Sequence, residues 1–490
     1  MKIKNAILAT SLASGLLATG CSDWIDVNHN PNYPEQVATE MMLPSIEVTT
    51  GYVMMSWDYL FLDGIFCQYL TQAGGYSQFK SCEQFNKQEF SSTYRNLFAN
   101  VLTEAKTIKE QAGEESGMYV AAELMSIYVW QVIVDAWGDV PYSEALNTVI
   151  FAPKFDKAED IYDDLIKRLD GAIEILENHL DEENDFTLSP IAAKYDFLYG
   201  GDLEQWYYFA NSLKLRFMNR LSNTGKFTAQ EIYDFAYNAY VIEENCQIKE
   251  TMWESKSGKK YPMDEYDNGN FCKNNINASM SIVSYMEKDP RIEKIFDGRK
   301  GKIQGYYDGK GAEEVKSKIN GETLVRNIPL ISTWEIYFDI AEACLNVDDE
   351  ETAQYCYEYA VAESFVYWGL EGKEEVVLGA SGYQPWVPGD KEANFRSICM
   401  QRWASFMMTQ HGEGFNEINR TGIPEVSDVT DYDKIAADFP RGYLIQPVCG
   451  TVIGTNRPKS MAYPQSYVLD LNSNAPKQKI DMTQKIFWQK

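Results

Sequence analysis

The sequence is poor in the residues on which most covalent and metal chemistry depends. It holds three histidines, His29, His179 and His411. None stands in HExxH or another recognisable ligand spacing, which argues against a zinc hydrolase. No GxSxG, P-loop or complete GxGxxG occurs. After Gly412 and Gly414 the third glycine position holds Glu417, so nucleotide chemistry has no motif to rest on. Basic residues are scarce for the length: 44 Lys and Arg stand against 72 Asp and Glu in 490 residues, a formal net charge of −28. Nucleic-acid coating needs cations to neutralise phosphates, so DNA and RNA are disfavoured as partners. Of nine cysteines, none forms CxxC, and their scatter does not resemble a small disulfide scaffold. Cys344 and Cys356 read as buried free thiols. No stretch looks membrane-spanning: residues 124–137 are apolar but interrupted by Ser126, Gln131 and Asp135, which suits a buried helix.

What is abundant is apolar and aromatic. Hydrophobic residues make up 45% of the chain, and its rings comprise 32 Tyr, 23 Phe and 11 Trp. This is globular composition with a large core. The tyrosine excess, rings with a polar tip, calls for an explanation. Acidic residues are so numerous that a glycosidase-like carboxylate pair is neither excluded nor selected by sequence.

The N-terminus carries an address. Lys2 and Lys4 precede an apolar stretch over 6–18, and Ala18, Thr19 and Gly20 lead into Cys21. This is the layout of a lipoprotein signal peptide, residues 1–20, with Cys21 as the lipid attachment site. Asp23 and Asp26 resemble the export signal that sends such lipoproteins to the outer face.

Helical spacing dominates the first half. Ile161, Tyr162, Leu165, Leu169, Ile173 and Leu176 form one stripe, with Asp156 and Glu159 placed as a capping box. Trp206, Ala210, Leu213, Phe217 and Leu221 form a second, and Thr228 with Glu231 caps a third helix. Further helices are expected over 94–111 and 118–137. From Trp334 to Phe365 the chain fits a 34-residue tetratricopeptide-type helix pair, with Ala341, Ala353 and Ala360 at the close-packing positions. Residues 246–330 and 371–394 are instead rich in Gly, Asn, Asp, Tyr and Trp and lack sustained periodicity. They read as long loops, where binding function tends to sit. His411, beside Glu413 and Glu417, reads as part of a helix-to-turn element rather than as a base. An EF-hand start at Asp26 fails because Pro31 replaces the required Gly. Asp264, Asp267 and Asn268 around Gly269 offer oxygens for a structural calcium, with a solvated turn as the alternative; no other cofactor is indicated.

Several segments together carry a family resemblance: Cys21 followed by DWIDVNHNPNYP, DAWGDVPYSEAL at 135–146, PKFDKAEDIYDDLIKRLDGAI after it, DFLYGGDLEQWYYFANSLKLRFMNRLS at 196–222, ISTWEIYFDIAEACL at 331–345 and ICMQRWASFMMTQHGEGFNEINRTGIP at 398–424. In this order they resemble the SusD/RagB family of nutrient-binding outer-membrane lipoproteins, in its SusD-like branch. Phe415 stands where that family often has a second Trp, and Asn419 where an Arg pair is common. The resemblance implies a mainly α SusD-like fold, with tetratricopeptide-like helix pairs supporting a loop-rich ligand-binding half. Residues 21–490 would form one such domain, its helical scaffold mainly in 90–245 and 331–368. It further implies a non-enzymatic, outer-membrane, surface-exposed subunit that captures an oligosaccharide and delivers it to a SusC-like TonB-dependent barrel. A peptide ligand or a surface glycosidase is the alternative.

Sugar binders stack the C–H face of the sugar on rings and reach its hydroxyls with polar side chains. The loop candidates are Trp386, set among Gly382, Pro385 and Pro388 and so expected in an exposed turn, Trp253, Tyr266, Tyr261, Tyr383, Trp57 and Tyr76, with Asp267 and Asn268 as polar partners. For each ring the alternative is core packing.

Overall fold

A computed structural model describes residues 38–490, except 182–186, 257–258, 267–274, 310, 313, 315–316, 321–324 and 477–481. The expected lipid site Cys21 therefore lies outside the described residues. Among these residues helices prevail and the strands are short. The long helices are α1 (Thr39–Met54), α2 (Thr103–Ala112), α3 (Gly117–Trp137), α4 (Ala158–Leu180), α5 (Leu203–Arg220), α6 (Ala229–Asn238), α7 (Thr333–Asn346), α8 (Glu350–Tyr367), α9 (Lys391–Phe406) and α10 (His411–Thr421). Two antiparallel ribbons pair β1 (Leu70–Gln72) with β3 (Ile276–Ala278) and β2 (Cys246–Ile248) with β4 (Ile328–Ile331).

Local chemistry sets most helix starts. Asp202 caps α5 by accepting from the Glu204 and Gln205 amides, Thr228 and Glu231 make the expected reciprocal box on α6, and Ser332 and Asp349 cap α7 and α8. Such side chains satisfy amides that the helix itself leaves unpaired. The expected box at Asp156 is not formed. A backbone bridge to Val140 turns Asp156 back toward the preceding loop, where it accepts from the Tyr142 and Ser143 amides at 3.1 and 2.7 Å. Asp139 takes over the cap, accepting from the Ala158 amide at 2.9 Å.

The helix expected over 94–111 contains a π-helical segment, Leu97–Leu102, leading into α2. Apolar on nearly every side, α3 is buried along its length as the sequence indicated. The pair α7 and α8 packs as the repeat pattern required, with Ala341, Ala353 and Ala360 fully buried between them. Cys344 and Cys356 are free and buried.

The frame is joined by an ionic core. Arg216 of α5 forks onto Glu335 of α7 at 2.5 and 2.7 Å. Arg402 of α9 bonds Glu342 and Glu417 at 3.0 and 2.5 Å. Arg220 bonds Glu413 of α10. Burial raises Glu417, but Arg420, Arg402 and Arg220 outweigh it and hold the carboxyl far below its usual range. Buried carboxylates persist as charges only when paired in this way.

Candidate ligand-binding site

One open cleft of about 600 Å³ lies on the loop-rich side. It is built from the β1–β3 ribbon outward. Ser279, just after β3, caps the short helix Met280–Tyr285, which forms the back wall. The chain returns at 301–303 against this cap: the Met280 amide donates to Lys302 O at 2.8 Å, and the Lys302 amide to Ala278 O at 2.8 Å. A Cβ on Gly301 would come within 2.4 Å of the Met280 Cα, so only glycine permits the approach. At Gly305 the backbone takes φ +76° beside Cys449, a turn that delivers Tyr306 to the cleft.

Tyr306 stacks on Tyr432, the first residue of the short helix Tyr432–Ala437, with centroids 4.1 Å apart and an interplanar angle of 25°. Beneath them Ile303, Ile435 and Ile445 form a small apolar cluster of their own, against which Phe439 also packs. The rings thus have a solid floor, and burial raises the Tyr432 phenol, helped by its bond to Tyr306.

Around the rings lie Arg441, Lys300, Glu287 and Asp438. Arg441 donates to the Ser284 and Tyr285 carbonyls at 3.1 and 3.0 Å, which fixes the guanidinium while keeping its charge. A second loop adjoins: the Gly74 amide donates to Ala312 O at 3.1 Å, and Lys80 pairs with Asp308 at 2.9 Å. This loop carries Tyr76, half-exposed.

Several sequence candidates lie elsewhere. Trp386 is buried rather than exposed, a correction. Its turn folds back so that the indole donates to Glu350 at 3.2 Å and packs on Tyr357, centroids 5.6 Å apart. Tyr261 is likewise buried, edge-on to Trp253 at 6.1 Å, and burial pushes its phenol far up. Trp253 is half-buried between Tyr52 and Tyr261. Trp57 is half-buried too and spends one face on Phe79, centroids 4.7 Å apart. The Tyr383 hydroxyl donates to Asp289 at 2.7 Å within the Arg291 network, which makes it a structural contact. Tyr266 ends the short helix Pro262–Tyr266; Asp267 and Asn268, and with them most of the calcium candidate, lie outside the described residues. None of the named rings is among the described residues lining the cleft; Tyr76 sits on the adjoining loop, and the Tyr383 ring lies 5.9 Å from the Arg441 guanidinium. Tyr306 and Tyr432 escaped sequence reasoning, although Tyr306 sits in the Gly- and Asp-rich setting Gly305 to Gly309 used to select the others.

His411 is structural. Its Nδ1 faces Leu60 O at 2.8 Å, its Nε2 accepts from the Met408 amide at 2.7 Å, and burial lowers it to about 4. The narrow pocket beside it, about 30 Å³, has room for a water or two and not for a sugar ring.

A helical frame holding loops around an open cleft, rimmed by rings and fixed charges, defines a ligand-binding protein. Residues 31–440 match the SusD-like family model described as "Starch-binding associating with outer membrane", and the chain belongs to that family. A chitin-binding SusD homolog from Flavobacterium johnsoniae superposes with TM-score 0.71 at 19% identity, over 91% of this chain and 97% of its own. A SusD homolog from Bacteroides uniformis gives 0.70 at 20% identity, over 92% and 98%. One from Bacteroides fragilis gives 0.68 at 20%, over 92% and 99%. No curated protein sequence matches the chain. The mainly helical SusD-like fold expected from the sequence is the one observed.

Proposed function

We propose that this protein is a cell-surface glycan-binding subunit, anchored by lipid on Cys21, that takes an oligosaccharide into the Tyr306–Tyr432 cleft and delivers it to a SusC-like TonB-dependent barrel. It makes and breaks no bond. The observation that carries this reading is the ring pair on its apolar floor, facing solvent beside a guanidinium held by carbonyls. Rings supply the face a pyranose stacks on, and Arg441, Glu287 and Asp438 are within the same cleft for its hydroxyls. Membership of a starch-binding family and the likeness to a chitin-binding homolog support a neutral hexose polymer as the ligand class.

The test is calorimetric titration with maltohexaose and chitohexaose, using wild type and Tyr432→Ala. Wild type is expected to bind one of them, with at least about a tenfold loss in the variant. Unchanged affinity in Tyr432→Ala would remove the cleft from consideration. Steady release of shorter sugars by the purified protein would instead establish a glycosidase.

A further inference from the structure

A second group of exposed rings stands on the helical frame, and none of its members lines the cleft. After α6 the segment 239–245 runs from α5 to α7. Asn211 of α5 donates to Tyr240 O at 3.1 Å and Ser212 accepts from the Ile242 amide at 2.9 Å, while Asn245 accepts from the Thr333 amide of α7 at 2.8 Å. This crossing sets Tyr240 against α5, stacked on Tyr208 with centroids 6.1 Å apart and an interplanar angle of 20°, and 6.3 Å from Tyr207. At its other end Tyr359 of α8 packs on Tyr337 of α7 at 4.3 Å and stacks on Tyr355 at 6.3 Å and 21°. Glu243 of the crossing joins the two ring groups electrostatically. Tyr208, raised first by its bond to Glu204, and Tyr337 and Tyr359, raised first by burial, are each raised further by the Glu243 charge. Tyr240 and Tyr355 are 65% and 64% exposed, so most of each ring meets water. Their neighbours are held by the hydroxyl: Tyr207 donates to Glu177 at 2.9 Å, Tyr208 to Glu204 at 2.6 Å, and Tyr359 is bonded to Glu363. Much of the rotamer freedom that a ligand would have to freeze is already lost.

We propose that this tyrosine shelf is an auxiliary glycan-binding surface, holding a further stretch of a neutral, polyhydroxylated polymer whose other part occupies the cleft. The ligand class rests on the reading of the protein as a glycan binder. Ring faces take the C–H face of a pyranose, and Glu177, Glu204, Glu243 and Glu363 border them as acceptors for its hydroxyls. Acceptors all of one sign repel an anionic polymer. A protein surface fits less well, because interface cores are poor in charge and covering these carboxylates strips them of water, whereas sugar hydroxyls donate to them in its place. A ring pair alone holds a short sugar weakly. A chain already seated in the cleft meets the shelf at an effective concentration set by the chain itself, so the shelf acts on polymers rather than on oligosaccharides.

Electrophoresis of the full chain in native gels cast with amylopectin or with glycol chitin tests the shelf, alongside calorimetry with maltohexaose and chitohexaose. Wild type is expected to be retarded in one of the gels. In the double variant Tyr240→Ala/Tyr355→Ala the dissociation constant for that polymer rises about fivefold, while hexasaccharide affinity and the thermal melt stay as in wild type. Tyr240→Phe/Tyr355→Phe keeps the rings and is retarded as wild type is. Wild-type retardation of the Ala variant, the result expected of a surface that serves a protein partner, overturns the inference. So does a Phe variant that runs like the Ala variant, or an equal loss of hexasaccharide affinity in the Ala variant. Failure of the cleft reading is separate: Tyr432→Ala then binds hexasaccharides as wild type does, while the Ala variant of the shelf still loses the polymer. A wild type retarded in neither gel overturns both.

Discussion

Arg420 and Glu342 meet side by side in the interior, Nη1 on Oε1 at 2.7 Å and Nη2 on Oε2 at 2.6 Å, with both residues buried. Burial raises Glu342, but Arg420 and Arg402 outweigh it and hold the carboxyl below its usual range. The ion pair ties α10 to α7, one member of the α7–α8 helix pair. Glu342→Gln leaves Arg402 and Arg420 with less opposing charge in a dry site. It is expected to destabilise the protein by about 3 kcal/mol in urea unfolding.

Acid should weaken the fold partly through His411. Its folded value of about 4 lies below the ordinary 6.5, so the stability it confers is full above about 6.5 and is lost as pH falls through 4. The loss approaches about 3 kcal/mol. Thermal melts of wild type and His411→Asn across that window should converge on acidification, and the difference between the two curves isolates His411 from the other titrating groups. Parallel curves would contradict it.

Trp386→Ala is expected to lower stability by about 3 kcal/mol, since it empties a packed site against Tyr357 and removes the contact to Glu350. Sugar affinity should stay at the wild-type value, because the indole lies in the core cluster and not in the cleft. A selective loss of binding in a stable variant would return Trp386 to the site.

Cys21→Ser is expected to abolish incorporation of a labelled fatty acid and to move the protein from the membrane pellet to the soluble fraction. Retention in the pellet would mean that something other than a lipid holds it.

Much of the frame was legible because helices announce themselves locally. Ile161 through Leu176 needed only their spacing, and Thr228 with Glu231 only each other. The errors arose where a distant segment decides. Nothing near Asp156 says that Val140 will bridge to it and hand the cap to Asp139. The glycine and prolines around Trp386 gave the turn correctly, yet burial came from Tyr357 and Glu350 of α8. The cleft was the least legible part. Tyr306 and Tyr432 lie far apart in the chain and meet only because the 301–303 return and the 432–437 helix share one apolar floor. A charged core was equally hidden: no local rule pairs Arg216 with Glu335 or Arg220 with Glu413.

One property of α3 matters before the protein is folded at all. On the proposed lipoprotein route the chain would cross the inner membrane as an unfolded thread, and α3 has 21 residues of composition apolar enough to lodge there. Glu123, Gln131 and Asp135 interrupt it. Acidic residues of this kind oppose insertion, by about 2.5–3.5 kcal/mol for one at mid-span. In the finished protein the same two acids are neutralised: Glu123 by Arg168 at 2.7 Å, Asp135 by the Tyr162 hydroxyl at 2.6 Å and the nearby Arg220. On the proposed export route, charges that the core accommodates at some cost would also oppose arrest of its most apolar helix in the inner membrane.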